Sequence, residues 1–232
     1  MTERAFLRHP LLVACGVSHG FGVRGAPEPE RCLRPRQVHG TAVMRASEGA
    51  GVEDADAIVS DVPGLPVAIV TADCVPVLVA DPGGAHVAAI HAGWRGLAAG
   101  VVEAGLVALQ RIGAEPARLR AAVGPHIGPC CYEVDDPVVT ALEARFGAAA
   151  HAALTRSRPG HAMLDLGALV RAECVGAGLA PGAVATLGAA CTRCDAARFH
   201  SFRRDGARAG RLLHYVSAGR DPRILDNPMG SP

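Results

Sequence analysis

Three short segments each combine a side chain that can bind a metal with residues that favour an unusual backbone. They are Arg36-Gln37-Val38-His39-Gly40, Thr71-Ala72-Asp73-Cys74 and His91-Ala92-Gly93-Trp94-Arg95-Gly96. Two imidazoles and one thiolate suit Zn²⁺, and three protein ligands leave the fourth coordination position for water or substrate. His39, Cys74 and His91 therefore predict a catalytic zinc site. Because the three are far apart in the chain, the residues alone also allow a buried Cys74 and two hydrogen-bonded loop histidines.

The segments around these residues predict the elements that must position them. Short β-branched runs bounded by Asp, Pro or Gly predict strands at 56–60, 67–71, 75–80 and 86–90. Amphipathic spacing predicts helices over 97–112, 137–146 and 166–176. Cys74 then follows one strand, and His91 ends another just before a helix. Because strands and helices do not alternate regularly, we predict an α+β layered single domain over 1–219, followed by a flexible C-terminal tail over 220–232.

The composition argues against several function classes. The 23 basic and 22 acidic residues leave a net charge of +1, and aromatic residues make up only 3% of the chain, which disfavours nucleic-acid binding. All 23 basic residues are arginine, so no lysine can form a Schiff base or serve a P-loop. No apolar run reaches the length of about 20 residues that spans a membrane. Eight scattered cysteines indicate reduced thiols and a cytoplasmic location, and a small-molecule partner is expected.

Three further segments have more than one interpretation. Cys191-x-x-Cys194 has the spacing of half a zinc site, and because no second C-x-x-C accompanies it, we expect both thiols to be reduced and dispensable for metal binding. The Gly/Pro-rich turn over 124–133 could direct backbone N–H groups at an anion or could be a tight turn only. Arg203 and Arg204 offer two guanidinium groups to a phosphate, or an ion pair to Asp205.

Taken in order, six motifs resemble the multicopper polyphenol oxidoreductase (laccase-domain) family of the purine nucleoside phosphorylase type. They are RQVHG, DADAIVSD, TADCVPVLVAD, HAGWRG, GPHIGPCCYEV and FHSFRRDG followed by GR. The resemblance covers about residues 18–211 and implies a single α+β domain with layered α/β/β/α architecture and mixed sheets. It also implies zinc held by His39, Cys74 and His91. The chain departs from the family pattern at His126 and after Arg211.

The resemblance implies phosphorolysis of inosine, adenosine and methylthioadenosine, with adenosine deamination as a companion activity. Arginine forks suit phosphate, so Arg36, Arg95, Arg203 and Arg204 are the candidate phosphate ligands. Arg36 and Arg95 are the strongest of these, because they stand closest in sequence to His39 and His91. Asp73, next to Cys74, is the candidate proton shuttle for deamination. We expect purine nucleosides and phosphate as partners, and either a monomer or a homodimer.

Three alternatives stay open at this point. Cys74 could be a nucleophile activated by His91, in an amidohydrolase that edits a cell-wall precursor. A copper polyphenol oxidase is disfavoured, because Met44 is the only methionine close in sequence to a ligand and no two histidines have H-x-H spacing. A non-catalytic binding module whose fold is stabilised by zinc is also disfavoured. Structural zinc sites usually have four protein ligands, and only three are found here.

Overall fold

The computed structural model describes residues 6–47, 51–188 and 190–221. The described residues form thirteen strands: β1 (Phe6–Leu7), β2 (Val17–Gly22), β3 (Val43–Arg45), β4 (Ala57–Ser60), β5 (Pro66–Thr71), β6 (Val75–Ala80), β7 (Val87–Ala92), β8 (Arg120–Val123), β9 (Glu133–Asp135), β10 (Leu154–Arg158), β11 (His161–Leu164), β12 (Val184–Thr186) and β13 (Leu212–Arg220). The α-helices of the same ranges are α1 (Pro10–Ala14), α2 (Trp94–Ala99), α3 (Val101–Arg111), α4 (Asp136–Phe146), α5 (Ala148–Ala153), α6 (Leu166–Gly176) and α7 (Phe202–Asp205).

The strands form three sheets. A six-stranded sheet has the order β12-β8-β6-β7-β4-β3, with parallel pairs at its two edges and antiparallel pairs between them. A four-stranded antiparallel sheet has the order β1-β2-β13-β5, and a small sheet has the order β10-β11-β9. The predicted α+β class with mixed sheets is confirmed.

The six-stranded sheet is buried on both faces, because nearly every residue of its central strands is apolar. Along β7, Ala88 and Ile90 face a core shared with helices such as α3, α4 and α6. Val87 and Ala89 alternate with them and face a second core shared with the four-stranded sheet. This alternation matters for function, because His91 is in phase with Val87 and Ala89 and therefore points toward the space between the two sheets.

Most predicted elements agree with the structure to within two residues, but the helix over 97–112 is wrong. Gly100 has a φ of +96°, so it ends α2 in a left-handed conformation and α3 starts at the next residue. Glycine accepts this conformation without the steric cost that a Cβ would add. The break lets the short α2 follow the end of β7 independently of the longer helix.

The last described residues belong to the four-stranded sheet or lie next to it. Arg220, where the predicted tail begins, is the last residue of β13, and the N–H of the buried Asp221 donates to the carbonyl of Gly16. The rest of the predicted tail, residues 222–232, lies outside the described residues. Among the described residues, no helix has the length and apolar character needed to cross a membrane.

Candidate metal centre and active site

Cys74 and His91 are brought together by the pairing of β6 with β7. Pro76 lies opposite His91 in the antiparallel register, and Cys74 is two residues before Pro76. Side chains two residues apart in a strand share a face, so the Cys74 thiol lies diagonally from the imidazole of His91. His91 is buried, whereas Cys74, the residue just before β6, is partly exposed.

The third ligand, His39, is held by a loop that wraps around one carboxylate. Three consecutive backbone N–H groups, from Val38, His39 and Gly40, donate to the Asp56 carboxylate over distances of 3.2, 2.9 and 2.6 Å. His39 has a φ of +61°, a left-handed conformation that these bonds help to hold. The loop thereby turns the exposed His39 ring toward Cys74, whose Sγ is 4.0 Å from Nε2 of His39.

The same loop is tied to the four-stranded sheet. The Gln37 side chain donates to the carbonyl of Val70 and accepts from its N–H, at 2.8 and 2.7 Å, so that the amide replaces a strand partner for β5. Sequence motifs alone do not reveal this role. Of the R-Q-V-H-G segment, Gln37 anchors the loop and the following N–H groups hold Asp56.

Asp56 also orients the second imidazole, and sequence reasoning missed it. Its Oδ1 lies 2.8 Å from Nδ1 of His91, and both side chains are buried. The bond leaves Nε2 of His91 for a metal, an arrangement in which a carboxylate fixes the tautomer of a ligating histidine. The available signal was a carboxylate directly before the apolar strand 57–60, where an acidic side chain must find partners.

Gly93 lets the three ligands approach each other. A Cβ at this position would lie 2.9 Å from Cδ2 of His39 and 3.1 Å from Sγ of Cys74, closer than side chains tolerate. The candidate ligand atoms of His39, Cys74 and His91 all lie within 4.8 Å of one another, and the two imidazole rings meet edge to face. This spacing, the donor set of two nitrogens and one sulfur, and the space that Gly93 leaves all fit a zinc ion.

The ligands also perturb one another electrostatically. Burial raises the pKa of the Cys74 thiol, but hydrogen bonds from His39 and His91 outweigh it and lower the pKa to about 7. Burial lowers the pKa of His91, whereas Asp56 and the Cys74 thiolate outweigh this effect and raise it. Cys74 therefore has the thiolate character that a metal ligand or a nucleophile needs.

Asp73 is adjacent to Cys74, but its carboxylate serves another part of the structure. Oδ1 accepts the hydroxyl of Thr192 at 2.5 Å, and Oδ2 accepts the hydroxyl of Ser201 at 3.0 Å and the N–H of Arg203 at 2.6 Å. The backbone of Asp73 has a φ of +91°, and its carbonyl accepts the N–H of Ile127. Asp73 therefore joins the loop before Cys74 to the segment around residues 192–203.

Two of the four candidate arginines lie near this site. Burial raises the pKa of the Tyr132 phenol to about 12, and the nearby charges of Cys74 and Asp73 add to the effect. The two arginines are Arg95 and Arg203, whose positive charges act to lower the same pKa. The Arg203 guanidinium lies 5.0 Å from the centre of the Tyr132 ring. Tyr132, which sequence reasoning did not single out, therefore stands among the charges of the candidate site.

The other two arginines are already engaged. Arg36 is 73% exposed and makes a two-pronged ion pair with Asp54. Arg204 uses each of its guanidinium nitrogens, donating to Asp205 and to the backbone carbonyls of Thr192, Arg193 and Phe199. Arg204 thus stabilises the backbone conformation of the loop before α7.

The fold places a second pair of cysteines beside Cys191 and Cys194, although the sequence has no second C-x-x-C. The turn after β8 brings Cys130 and Cys131 to them, so that the four sulfur atoms lie within 4.8 Å of one another. The second pair was missed because adjacent cysteines lack C-x-x-C spacing and are some 60 residues away in the chain, a contact that only the fold creates.

His126, where the chain departs from the family pattern, lies close to these cysteines and not among the three ligands. Its Nδ1 is 2.8 Å from the carbonyl of Gly124, and its ring is buried against Gly167. Together with Cys130 and Cys191 it lines a cavity of about 1100 Å³. Burial lowers the pKa of His126.

Comparison with known proteins places this arrangement in a family. Residues 22–218 match the family described as multi-copper polyphenol oxidoreductase laccase. A purine nucleoside phosphorylase from Xylella fastidiosa is 43% identical over 210 residues, which cover 88% of this chain and 77% of that protein. An adenosine deaminase from an unknown prokaryotic organism is 35% identical over 191 residues, covering 78% and 72% of the two chains.

The fold is also that of a solved relative. The crystal structure of YlmD from Geobacillus stearothermophilus matches with a TM-score of 0.84 at 27% identity, covering 94% of this chain and 97% of that one. From this fold and from the sequence match over residues 22–218, we conclude that the chain belongs to the multi-copper polyphenol oxidoreductase laccase family.

Proposed function

We propose that the protein is a zinc-dependent purine nucleoside phosphorylase whose active site is the cluster of His39, Cys74 and His91. The observation that carries the proposal is the convergence of these three ligand atoms within 4.8 Å, in a chain 43% identical to a purine nucleoside phosphorylase. In the reaction, an oxygen of phosphate bonds to C1′ of the ribose while the bond from C1′ to N9 of the purine breaks. The departing base takes up a proton, and ribose 1-phosphate remains.

Phosphate recognition falls to Arg95 and Arg203. No ion-pair or hydrogen-bond partner of the Arg95 guanidinium is seen among the described residues, and the group lies 4.5 Å from the centre of the Trp94 ring. Arg203 donates through one terminal nitrogen to the carbonyl of Glu133, and its planar fork suits the bidentate geometry of phosphate. Arg36 and Arg204, also candidates from the sequence, contribute less in this proposal because their donors are already bonded to Asp54 and Asp205.

The protein groups around the ligands hold the site in a defined geometry. A zinc ion bound there would supply a Lewis acid that polarises a substrate oxygen or a water molecule. Asp56 keeps His91 in the tautomer whose Nε2 faces the cluster. Asp73, predicted as a proton shuttle, accepts three hydrogen bonds, and these support a positioning role in which it holds the Arg203 backbone beside the site.

Adenosine deamination is a companion activity in this proposal. It is supported by the 35% identity to an adenosine deaminase and by the same ligand set, which suits activation of water. Hydrolysis at the purine C6 replaces the amino group with an oxygen and releases ammonia. Inosine, the product, is then a substrate for phosphorolysis at the same site.

A cysteine amidohydrolase is the second candidate, because one specific observation favours it. Cys74, His91 and Asp56 lie in the order of a nucleophile, a base and a carboxylate that orients the base. Against it stands His39, a second imidazole 4.0 Å from the same sulfur, which a nucleophile does not require and a metal ligand set does.

One set of variants tests the proposal against this alternative. The wild-type protein is expected to release hypoxanthine from inosine only when phosphate is present. Cys74→Ala and His39→Ala should each lose the metal of this site and more than about 100-fold of the activity, since even residues behind the ligands cost 10–100-fold. His151→Ala, at an exposed histidine paired with Glu143, is the matched control and should retain both. If Cys74→Ala abolishes turnover but keeps the full metal content, Cys74 is a nucleophile and the proposal is wrong.

A further inference from the structure

A second group of metal-binding side chains lies outside the proposed active site. Cys130 and Cys131 are adjacent in the turn between β8 and β9, and Cys191 and Cys194 lie in the loop between β12 and α7. The sulfur of Cys194 is 3.7 Å from that of Cys130 and 3.3 Å from that of Cys131. The sulfurs of the two adjacent cysteines are 3.7 Å apart.

These separations are close to those of thiolates that share one metal ion. With a zinc–sulfur distance of about 2.3 Å, neighbouring sulfurs of a tetrahedron are about 3.8 Å apart. Four sulfur donors in a tetrahedron are typical of zinc or of iron bound to sulfur. All four sulfurs lie within 4.8 Å of one another, which suits a single ion.

Hydrogen-bond donors lie beside two of the four sulfurs, those of Cys191 and Cys131. The backbone N–H of Gly128 donates to Sγ of Cys191 at 3.3 Å, and the Arg193 guanidinium donates to Sγ of Cys131 at 3.5 Å. Four thiolates around a divalent ion carry a net charge of −2, so a nearby cation and N–H donors stabilise the complex. The two spacings, an adjacent pair and a C-x-x-C, give two ligands from each loop.

The two loops that would be joined also reach residues beside the proposed active site. The N–H of Thr192, next to Cys191, donates to the carbonyl of His126, and the Thr192 hydroxyl donates to Asp73. Tyr132 directly follows Cys131 and lies among the charges near Cys74. An ion between the loops would therefore fix the relative position of segments that contact Asp73 and Tyr132.

From this geometry we propose that Cys130, Cys131, Cys191 and Cys194 bind one zinc ion as a structural site, separate from the His39, Cys74 and His91 cluster. Four protein ligands close the coordination sphere, so this ion binds no substrate. Its role is to hold the turn after β8 against the loop before α7. The main competing state is a disulfide, for which Cys131 and Cys194 are the nearest pair.

Metal analysis of the purified protein tests the proposal. Cys191→Ser/Cys194→Ser should contain one zinc per chain less than the wild type, whether or not the other cluster is filled. Cys74→Ala should keep the zinc of the four-cysteine site, so failure of the phosphorylase proposal does not affect this result. Cys32→Ser, at a cysteine in neither cluster, is the control and should have the wild-type zinc content. Wild-type zinc in the double variant, or a metal other than zinc in the wild type, would overturn the assignment.

Alkylation of the wild-type protein covers the case in which the double variant does not fold. We expect the four cysteines to resist alkylation in the native protein and to react after a zinc chelator is added, as mapped by peptide mass spectrometry. Reaction of all four without a chelator would contradict the proposal. A mass lower by the two hydrogens of a disulfide between any of the four, in protein purified without oxidant, would contradict it as well.

Discussion

The two clusters of metal-binding side chains are built in different ways. His39, Cys74 and His91 are held by strand ends and by a loop that is bonded to Asp56, so their positions follow from sheet register. The four cysteines lie on two loops, where the sulfur of Cys194 lies close to those of Cys130 and Cys131. The first cluster has three ligands with supporting groups behind them, and the second has four ligands of one type.

The difference separates a site that is ready before a metal binds from one that a metal would complete. Ligands fixed by packing and hydrogen bonds can leave one coordination position for substrate and still keep their geometry. Ligands on loops need all four bonds to the ion to define the site, which is why such sites are usually structural. We therefore expect the cluster of His39, Cys74 and His91 to be catalytic and the four-cysteine cluster to stabilise the two loops.

The largest expected effect is that of an Asp56 substitution, which should weaken zinc binding at one cluster and not at the other. Asp56→Asn should weaken zinc binding by the His39, Cys74 and His91 cluster about 10–100-fold, because His91 loses its charged partner and the loop N–H groups lose a carboxylate. Competition with a chelator of known affinity measures this change. Zinc on the four cysteines should be unaffected.

Asp61→Asn is the control for this prediction, since Asp61 forms an exposed ion pair with Arg45. It should bind zinc as the wild type does. Equal zinc affinity in Asp56→Asn and Asp61→Asn would show that Asp56 does not support the ligands.

A smaller effect is expected from one methyl group at Gly93. Gly93→Ala changes no ligand, but its Cβ would press on His39 and Cys74, and overpacking of this kind costs about 1–3 kcal/mol. We expect zinc affinity and turnover to fall about tenfold together. Gly176→Ala, where a Cβ meets nothing within 4 Å, should change neither. Normal turnover in Gly93→Ala would show that the ligands have more room than the structure indicates.

The two arginines nearest in sequence to the ligands should differ in their effect on phosphate. Arg95→Ala should raise the KM for phosphate about tenfold, because a charge-assisted contact contributes about 1.5–3 kcal/mol. Arg36→Ala should change it less than about twofold, because an exposed pair with Asp54 contributes little. Initial rates at varied phosphate and saturating inosine measure both values. A larger rise in the KM for phosphate in Arg36→Ala than in Arg95→Ala would show that Arg36 binds phosphate and Arg95 does not.

Local patterns in the sequence were enough to predict part of this structure. The apolar strands β4 to β7 were predictable because each is a short run with clear boundaries, and the positions of Cys74 and His91 at strand ends follow from them. β2 and β13 were missed because His19 and His214 interrupt their apolar patterns, although both side chains are buried.

The rest of the site depends on contacts between distant segments. The support of His91 by Asp56 requires the pairing of β4 with β7, and no local pattern encodes which strands pair. The four-cysteine cluster requires two loops to meet, so an adjacent pair and a C-x-x-C appear unrelated in the sequence. The break at Gly100 was missed because the apolar spacing continues through it.

A separate prediction concerns stability and two buried histidines of the four-stranded sheet, His19 and His214. Burial lowers the pKa of His19 to about 4 and that of His214 to about 3, whereas in the unfolded chain both should titrate near 6.5. Between about pH 6.5 and 4 the unfolded chain binds more protons, so the free energy of unfolding should fall as the pH falls. The slope should be up to about 1.4 kcal/mol per pH unit for each histidine.

Denaturant unfolding at several pH values checks this prediction. The exposed His151→Ala variant should show the wild-type slope, since its ring does not lose contact with water on folding. A free energy of unfolding that stays constant from pH 6.5 to 4.5 would mean that His19 and His214 are protonated in the folded protein.

Identifying the sugar product by phosphorus NMR shows whether the reaction is phosphorolysis. The wild-type protein is incubated with inosine and inorganic phosphate, and His91→Ala is treated in the same way. We expect a ribose 1-phosphate signal that grows in step with hypoxanthine in the wild type and is absent in His91→Ala. Hypoxanthine released at an equal rate without phosphate, with no phosphate ester formed, would contradict this expectation.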